Sequence, residues 1–398
     1  MIEPTAHKRA PWLPVAAVLV GAGWGSNQFT PMLLVYHARL GLSTSTLEAL
    51  FGAYAAGLIP GLLLAGRWSD RRGRRAPGIA AVVLSLVATV TLVAGTHTLA
   101  LLFVGRLLAG LGSGAAFGTG TAWLRETSLP PWGDASAATA GRRAAVAMTA
   151  GFALGPMVAG LLAQWAPGPT VLPYVPHIAL MALVLPLVWR VPETSQGDAG
   201  TPRTAVPQLN RARFVRVVLP LALWVFAAPA IAFALMPSVV GAAHAADGVA
   251  LTAAVTSTTA LAGVLIQPLA RLLDERRAVI PTGVIGLLVL GVGLALAALT
   301  ADVHETWLLI PCALVLGASY GLCLIAGLLE VQRLAPQHSL AQLTGIYYSI
   351  AYVGFGTPYL LAVASVVVGY PLLLLASAGL ASMTAAWTQR ASFTPATR

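Results

Sequence analysis

The chain has 398 residues, 58% of them hydrophobic and only 9% charged, with a mean hydropathy of +0.81. Soluble globular chains carry about 25% charged residues, so this one has too few to solvate a water-facing surface; a bilayer must be its solvent. A net charge of +10 would suit nucleic acid, but the charges are placed as a membrane requires, and no nucleic-acid partner is expected.

Twelve apolar segments run along the chain, centred near Gly25, Gly57, Leu86, Ser113, Phe152, Met181, Ala227, Thr258, Leu290, Gly317, Tyr352 and Leu375. Lys8 and Arg9 precede the first, as in a secretory leader. That run exceeds the roughly 7–15 residues of a leader's apolar region, so it reads as a retained helix. It contains "GAGWGSNQFTPML", with Trp24, Asn27 and Gln28 but no acid. The second segment carries Glu48 early and ends in "GRWSDRRGRR", residues 66–75. The fourth, "LLFVGRLLAGLGSGAA", holds Arg106 and leads to Glu126; the fifth holds "GFALGPMVAG".

After the sixth segment comes the longest polar break, "PETSQGDAGTPRTAVPQLNRAR", which reads as a flexible linker. The expected domains are therefore residues 1–191, a linker at 192–213, and residues 214–398. The seventh segment offers Trp224 and Phe233. The eighth ends in "ARLLDERRA", with Arg271 and Asp274. The tenth holds Cys312, Cys323, Tyr320 and Glu330, and the eleventh Tyr347, Tyr348 and Tyr352. The cysteines share one apolar segment and read as small core residues. Trp12, Trp165, Tyr174, Trp189, Trp307 and Trp387 sit at segment ends, as interfacial anchors do.

Alternating the segments across a bilayer puts every lysine and arginine on one side except Arg39, opposite, and Arg106, within a segment. That bias predicts cytoplasmic termini and a bacterial inner membrane. A shift of 204 residues brings Arg67 onto Arg271, Asp70 onto Asp274, Arg72 onto Arg276 and Glu126 onto Glu330. Charged positions are scarce here, so these coincidences point to two parallel six-helix repeats.

"GRWSDRRGRR" resembles the loop signature of the major facilitator superfamily, G-x-x-x-D-R-x-G-R-R/K, at Gly66, Asp70, Arg71, Gly73, Arg74 and Arg75. It lies between the second and third helices, where that family carries it; the second copy has lost the glycines. The resemblance implies an all-α membrane fold of twelve transmembrane helices in two pseudo-symmetric bundles. It also implies a cytoplasmic gate built from Gly66, Asp70, Arg71, Gly73, Arg74, Glu126, Arg271, Asp274 and Glu330. Carboxylate–guanidinium pairs there can be made in one state and broken in another; the alternative is static anchoring.

The fourth and fifth segments resemble those of drug/proton antiporters, the fifth matching G-x-x-x-G-P-x-x-x-G at Gly151, Gly155, Pro156 and Gly160. This favours export. Many such exporters carry an acid in the first helix; here none does, and no acid lies at any helix midpoint. All seven histidines read as loop or helix-end residues. No metal-ligand cluster and no serine with a histidine base is evident, so neither an enzyme, a metal nor a cofactor is expected.

Glu48 and Arg106 are the proton-coupling candidates. An intramembrane arginine costs roughly 2.5–3.5 kcal/mol unless partnered. Glu48 and Arg106 lie at matching helix depths, so they form an ion pair, or else Glu48 faces water and Arg106 bonds to Asn27, Gln28 or backbone carbonyls. Trp24, Asn27, Gln28, Trp224, Phe233, Tyr320, Tyr347, Tyr348 and Tyr352 are the expected lining of an aromatic, uncharged substrate cavity, each also able to serve packing. The combined expectation is a monomeric alternating-access transporter of a small organic molecule, driving lipophilic or drug-like compounds out against protons. Facilitated diffusion or uptake of a neutral metabolite is the alternative, and a non-transporting receptor the remote one.

Overall fold

The computed structural model describes residues 10–195, 211–241, 246–276, 280–334 and 340–393. Most of the expected linker, together with Lys8, Arg9, Arg203, His244, Arg277, His338 and Arg398, lies outside them. Among the described residues eleven helices are long and apolar enough to cross a membrane. The first segment, α1, completes the expected twelve in two pieces, Trp12–Asn27 and Met32–Leu40. Pro31 has no N–H to continue the α-helical ladder, and the break is bridged by tighter bonds from Thr30 N to Asn27 O and from Met32 N to Phe29 O.

The remaining spans are α2 Thr44–Arg72, α3 Arg75–Ala94, α4 Leu99–Ser128, α5 Ala137–Trp165, α6 Leu172–Trp189, α7 Phe214–Val239, α8 Gly248–Glu275, α9 Thr282–Val303, α10 Thr306–Leu334, α11 Leu343–Ala364 and α12 Tyr370–Ser392. In its most apolar stretch α7 is 78% buried and α12 only 28%. So α7 is central, and α12 offers its side chains to lipid. Two π-helical turns, Phe214–Val218 and Ile231–Leu235, interrupt α7. Pro229 and Pro237 flank the second, each removing one backbone donor and loosening the ladder.

By contacts the chain forms two compact units that interleave along the sequence. The first comprises Met1–Ser26, Gly57–Phe152 and Tyr174–Thr201; the second comprises Asn27–Ala56, Ala153–Pro173 and Pro202–Arg398. This division differs from the one expected at residues 192–213. The end of α2 away from the arginine-rich loops, and the corresponding end of α5, are counted with the second unit.

Small residues set the helix crossings in each unit. A Cβ on Gly57 would lie 2.1 Å from Leu107 O, and one on Gly114 2.4 Å from Leu58 O, so α2 and α4 touch backbone to backbone. In the second unit α8 and α10 repeat this: a Cβ on Gly321 would lie 2.1 Å from Gly263 O. Close approach through glycine is a main source of helix association in lipid, where apolar burial drives nothing. Among the expected interfacial anchors, Trp165, Trp189, Trp307 and Trp387 are all more than half exposed, whereas Tyr174 is fully buried and serves packing. Cys312 and Cys323 are free and buried.

Candidate functional site

In the first unit the loop between α2 and α3 folds onto its own carboxylates. Arg74 Nη1 donates to Asp70 Oδ1 at 2.8 Å and to Ser69 Oγ at 2.9 Å, and Arg74 Nε donates to Glu126 Oε1 at 3.2 Å. Burial works against the guanidinium's charge, but the bonds and charges of Asp70 and Glu126 hold its pKa above the ordinary arginine value. Glu193, just beyond α6, takes the amides that open α3: Arg74 N at 2.7 Å and Arg75 N at 2.9 Å. Free N–H groups at a helix start favour a carboxylate there.

Gly73 is required by this arrangement. Its φ is +94°, and a Cβ would sit 2.4 Å from the Glu193 carboxyl carbon. Gly66 has no neighbour within 4 Å of a Cβ, and Arg71 is exposed. The two glycines of the motif are thus unequal in structural need.

The second unit builds a similar network from different arginines. Arg213 grips Glu330 with two bonds, 3.1 and 3.2 Å, while Arg333 donates to Glu330 at 2.9 Å and to Asp274. Arg271, expected here from the repeat, is exposed instead. It stands three positions before Asp274, but the carboxylate turns inward toward α10, where Arg333 supplies the charge. Arg213 and Arg333 were not legible as members of this network, because neither stands in the repeated motif.

Midway along its helices the second unit carries an aromatic cluster drawn from both halves of the sequence. Phe226 of α7 stacks on Tyr352 of α11 with centroids 4.2 Å apart, and on Phe355 at 5.2 Å; Tyr320 of α10 lies 5.5 Å away. From α2, Phe51 packs edge-on against Phe233 and Phe355, and Tyr54 against Phe355. Tyr348 adjoins Tyr352 at 6.3 Å.

Two expected lining residues leave this group. Trp224 turns to α12 and donates to Thr384 Oγ1 at 3.3 Å. Two positions further along the helix, Phe226 faces the opposite way and joins the cluster. Tyr347 is fully buried and donates to Leu324 O of α10 at 3.2 Å, so it fixes a helix crossing. Phe51, Tyr54, Phe226 and Phe355 were missed.

One turn from Phe51 on the same face of α2 stands Glu48. It is fully buried, and no described residue donates a hydrogen bond to either carboxylate oxygen. The carboxylate is shielded from water. Arg106 is itself fully buried in the first unit, with Nη1 donating to Ser26 O at 3.4 Å.

A profile of the Major Facilitator Superfamily matches residues 15–357. The chain belongs to that superfamily. Its described spans agree with a multi-pass membrane protein. Among curated relatives, the multidrug resistance protein MdtL of Klebsiella pneumoniae (strain 342) is 38% identical over 88 residues, 22% of either chain. MdtL of Escherichia coli O45:K1 (strain S88 / ExPEC) is 37% identical over 90 residues, 23% of either chain. The chain thus matches less than a quarter of the length of these relatives.

Among solved structures, a POT family transporter in complex with 5-aminolevulinic acid superposes with a TM-score of 0.77 at 13% identity, covering 94% of both chains. A mutant of the nucleoside transporter NupG superposes with a TM-score of 0.75 at 14% identity, covering 97% of this chain and 100% of that one. At such identities the likeness shows the fold alone.

The helix 5 glycines of this superfamily member do two jobs. A Cβ on Gly151 would lie 2.2 Å from Val20 O, so α5 presses on α1 in the first unit. A Cβ on Gly160 would lie 2.3 Å from Ala253 Cβ, so beyond Pro156 the same helix presses on α8 in the second. One turn on, Gln164 caps α8: its Oε1 accepts from Val249 N and Ala250 N at 3.1 and 3.2 Å, and its Nε2 donates to Ala246 O. Gly155 is buried.

His177 lies near the start of α6, as read from the sequence. It is fully buried, with Nε2 bonded to Gly21 O at 3.0 Å and Nδ1 to Thr89 Oγ1 at 2.8 Å, a polar pin through α1, α3 and α6. Trp24 is half-buried, with no described partner for its indole N–H; Gln28 is fully buried, and Asn27 half-buried.

Proposed function

We propose that this transporter exports lipophilic organic compounds against protons, with Glu48 carrying the proton and the adjoining aromatic cluster forming part of the substrate path. The observation that carries the reading is the buried Glu48 carboxyl, without a hydrogen-bond partner among the described residues, one turn from Phe51. An ionised carboxylate in that setting costs several kcal/mol, so the group holds its proton in this conformation. Opening the far end to water would hydrate the acid and let the proton exchange. Rings from α2, α7, α10 and α11 offer apolar area with a few hydroxyl groups. That chemistry suits uncharged or weakly polar molecules. Arg106, bonded to the backbone, is the residue this reading assigns to holding α4 against α1.

The basic bias places the arginine-rich loops and both termini in the cytoplasm of a bacterial inner membrane. On that orientation the Gln164 cap lies toward the outer end and the aromatic cluster near mid-depth. The Arg74 and Arg333 networks tie the cytoplasmic helix ends within each unit, to be remade during the cycle. Partial similarity to multidrug resistance proteins supports the export direction. Growth of deletion and overexpressing strains on a panel of lipophilic compounds tests the reading. Overexpression should protect against a defined subset, and Glu48→Gln, still present in the membrane, should remove that protection. Protection of equal breadth in Glu48→Gln would take the acid out of the cycle.

A further inference from the structure

The basic end of the second unit encloses a cavity of about 40 Å³. Its wall includes Thr282 and Gly283 at the start of α9, Asp274, Glu330 and Arg333 of the charged network, and Thr388 of α12. The space is a few times what one ordered water needs, roughly 10–15 Å³. It falls far short of a drug-sized site, roughly 300–1,000 Å³. It has room for one small group.

Two observations say what group. Thr282 is only 4% exposed, lines the cavity, and has a hydroxyl with no described hydrogen-bond partner. A buried hydroxyl left unpaired is costly, and an occupant of the cavity would satisfy it. The helix that starts there has Pro281 as its N-cap, with no side-chain cap for its first amides.

The first unit supplies the template. There the amides opening α3 are taken by the Glu193 carboxylate, beside Asp70 and Glu126, which correspond to Asp274 and Glu330 in the repeat. The residue matching Glu193 at the same shift is Thr397, which has no carboxylate. The acids in the wall do not forbid an anion: Arg333 bonds both, and Arg213 holds Glu330 besides. Asp70 and Glu126 tolerate Glu193 in the same way.

We propose that this cavity binds a small oxyanion, a carboxylate or phosphate group, on the Thr282 hydroxyl and the first amides of α9, close to Arg333. Such a group is available from soluble anions or from a lipid headgroup. The test uses the full-length protein in phosphate-free maltoside micelles, reading thermal unfolding while inorganic phosphate is titrated against chloride at constant ionic strength. Saturable stabilisation by phosphate is expected. Thr282→Val should weaken the apparent affinity about tenfold, the worth of one hydrogen bond to a charged group. Thr282→Ser should keep it.

Equal responses to phosphate and chloride in the unmodified protein would overturn the proposal, whatever the variants do. So would an unchanged phosphate midpoint in a folded Thr282→Val. Nanodiscs containing phosphatidylglycerol separate the sources. Loss of the phosphate response there, with the protein already stabilised, assigns the site to a lipid phosphate; a persistent response assigns it to a soluble anion.

Discussion

The charged networks of the two units hold the same pair of acids and differ in everything that binds them. Asp70 and Glu126 share one guanidinium, Arg74, which comes from the loop itself. Asp274 and Glu330 share Arg333, which comes from the helix carrying Glu330, and Arg213 adds a second grip on Glu330. The first network is closed by Glu193 across the start of α3; the second borders a cavity at the start of α9. Duplication preserved the carboxylates and let the cations move. A partly buried acid needs some guanidinium, and any helix end within reach can present one. The loop signature with its glycine is needed only where the arginine must come from the turn.

Removing the shared guanidinium should separate the networks most. Arg74→Gln leaves Asp70 and the partly buried Glu126 without their common cation, and transport should fall at least about tenfold, equivalent to roughly 1.4 kcal/mol. Arg333→Gln should cost only a few-fold, because Arg213 still holds Glu330; equal losses in reconstituted transport would erase the distinction. Asp70→Asn should insert normally yet turn over slowly, and full activity would reduce the loop to an anchor.

The next effect is steric. Gly73→Ala must adopt a positive φ and displace Glu193, costing about 1–3 kcal/mol. Gly66→Ala, inside α2 with no neighbour to strike, should gain about 0.5–1 kcal/mol. Thermal midpoints of the pair should therefore move in opposite directions, and a parallel drop would show that the motif glycines act alike.

Smaller again is the cap. Glu193→Ala should lower stability by about 1 kcal/mol, and acetate should restore part of it by occupying the vacated α3 amides. Absence of rescue would weaken the template used for the second unit. Least of all, Arg271→Gln, exposed and outside the network, should change transport and stability by less than about 0.5 kcal/mol; a large loss would return it to the gate.

The spans, their number and the repeated acids were readable from sequence because they depend on runs of apolar residues and on rare charges. Helix rotation was not. In water the polar face of a helix marks which side is out; in lipid both sides are apolar, so pattern alone cannot say that Trp224 faces α12 while Phe226 faces α11. The same ambiguity hid Tyr347 against the α10 backbone and left Arg213 and Arg333 among the anchors. Gly73 was readable because a turn imposes its demand locally, whereas Glu193 reaches Arg74 across more than a hundred residues, which no local motif records. His177, near a helix end, gave no sign that three helices close over it.

The claim on which the transport reading rests is that protons move against substrate through Glu48. Proteoliposomes containing a trapped pH indicator, challenged with a compound from the protective panel, measure it directly. The account predicts a substrate-driven pH change opposite in direction to substrate movement, absent in Glu48→Gln although that variant still binds the compound. Substrate transport with no pH change, or the same pH change in Glu48→Gln, would contradict it.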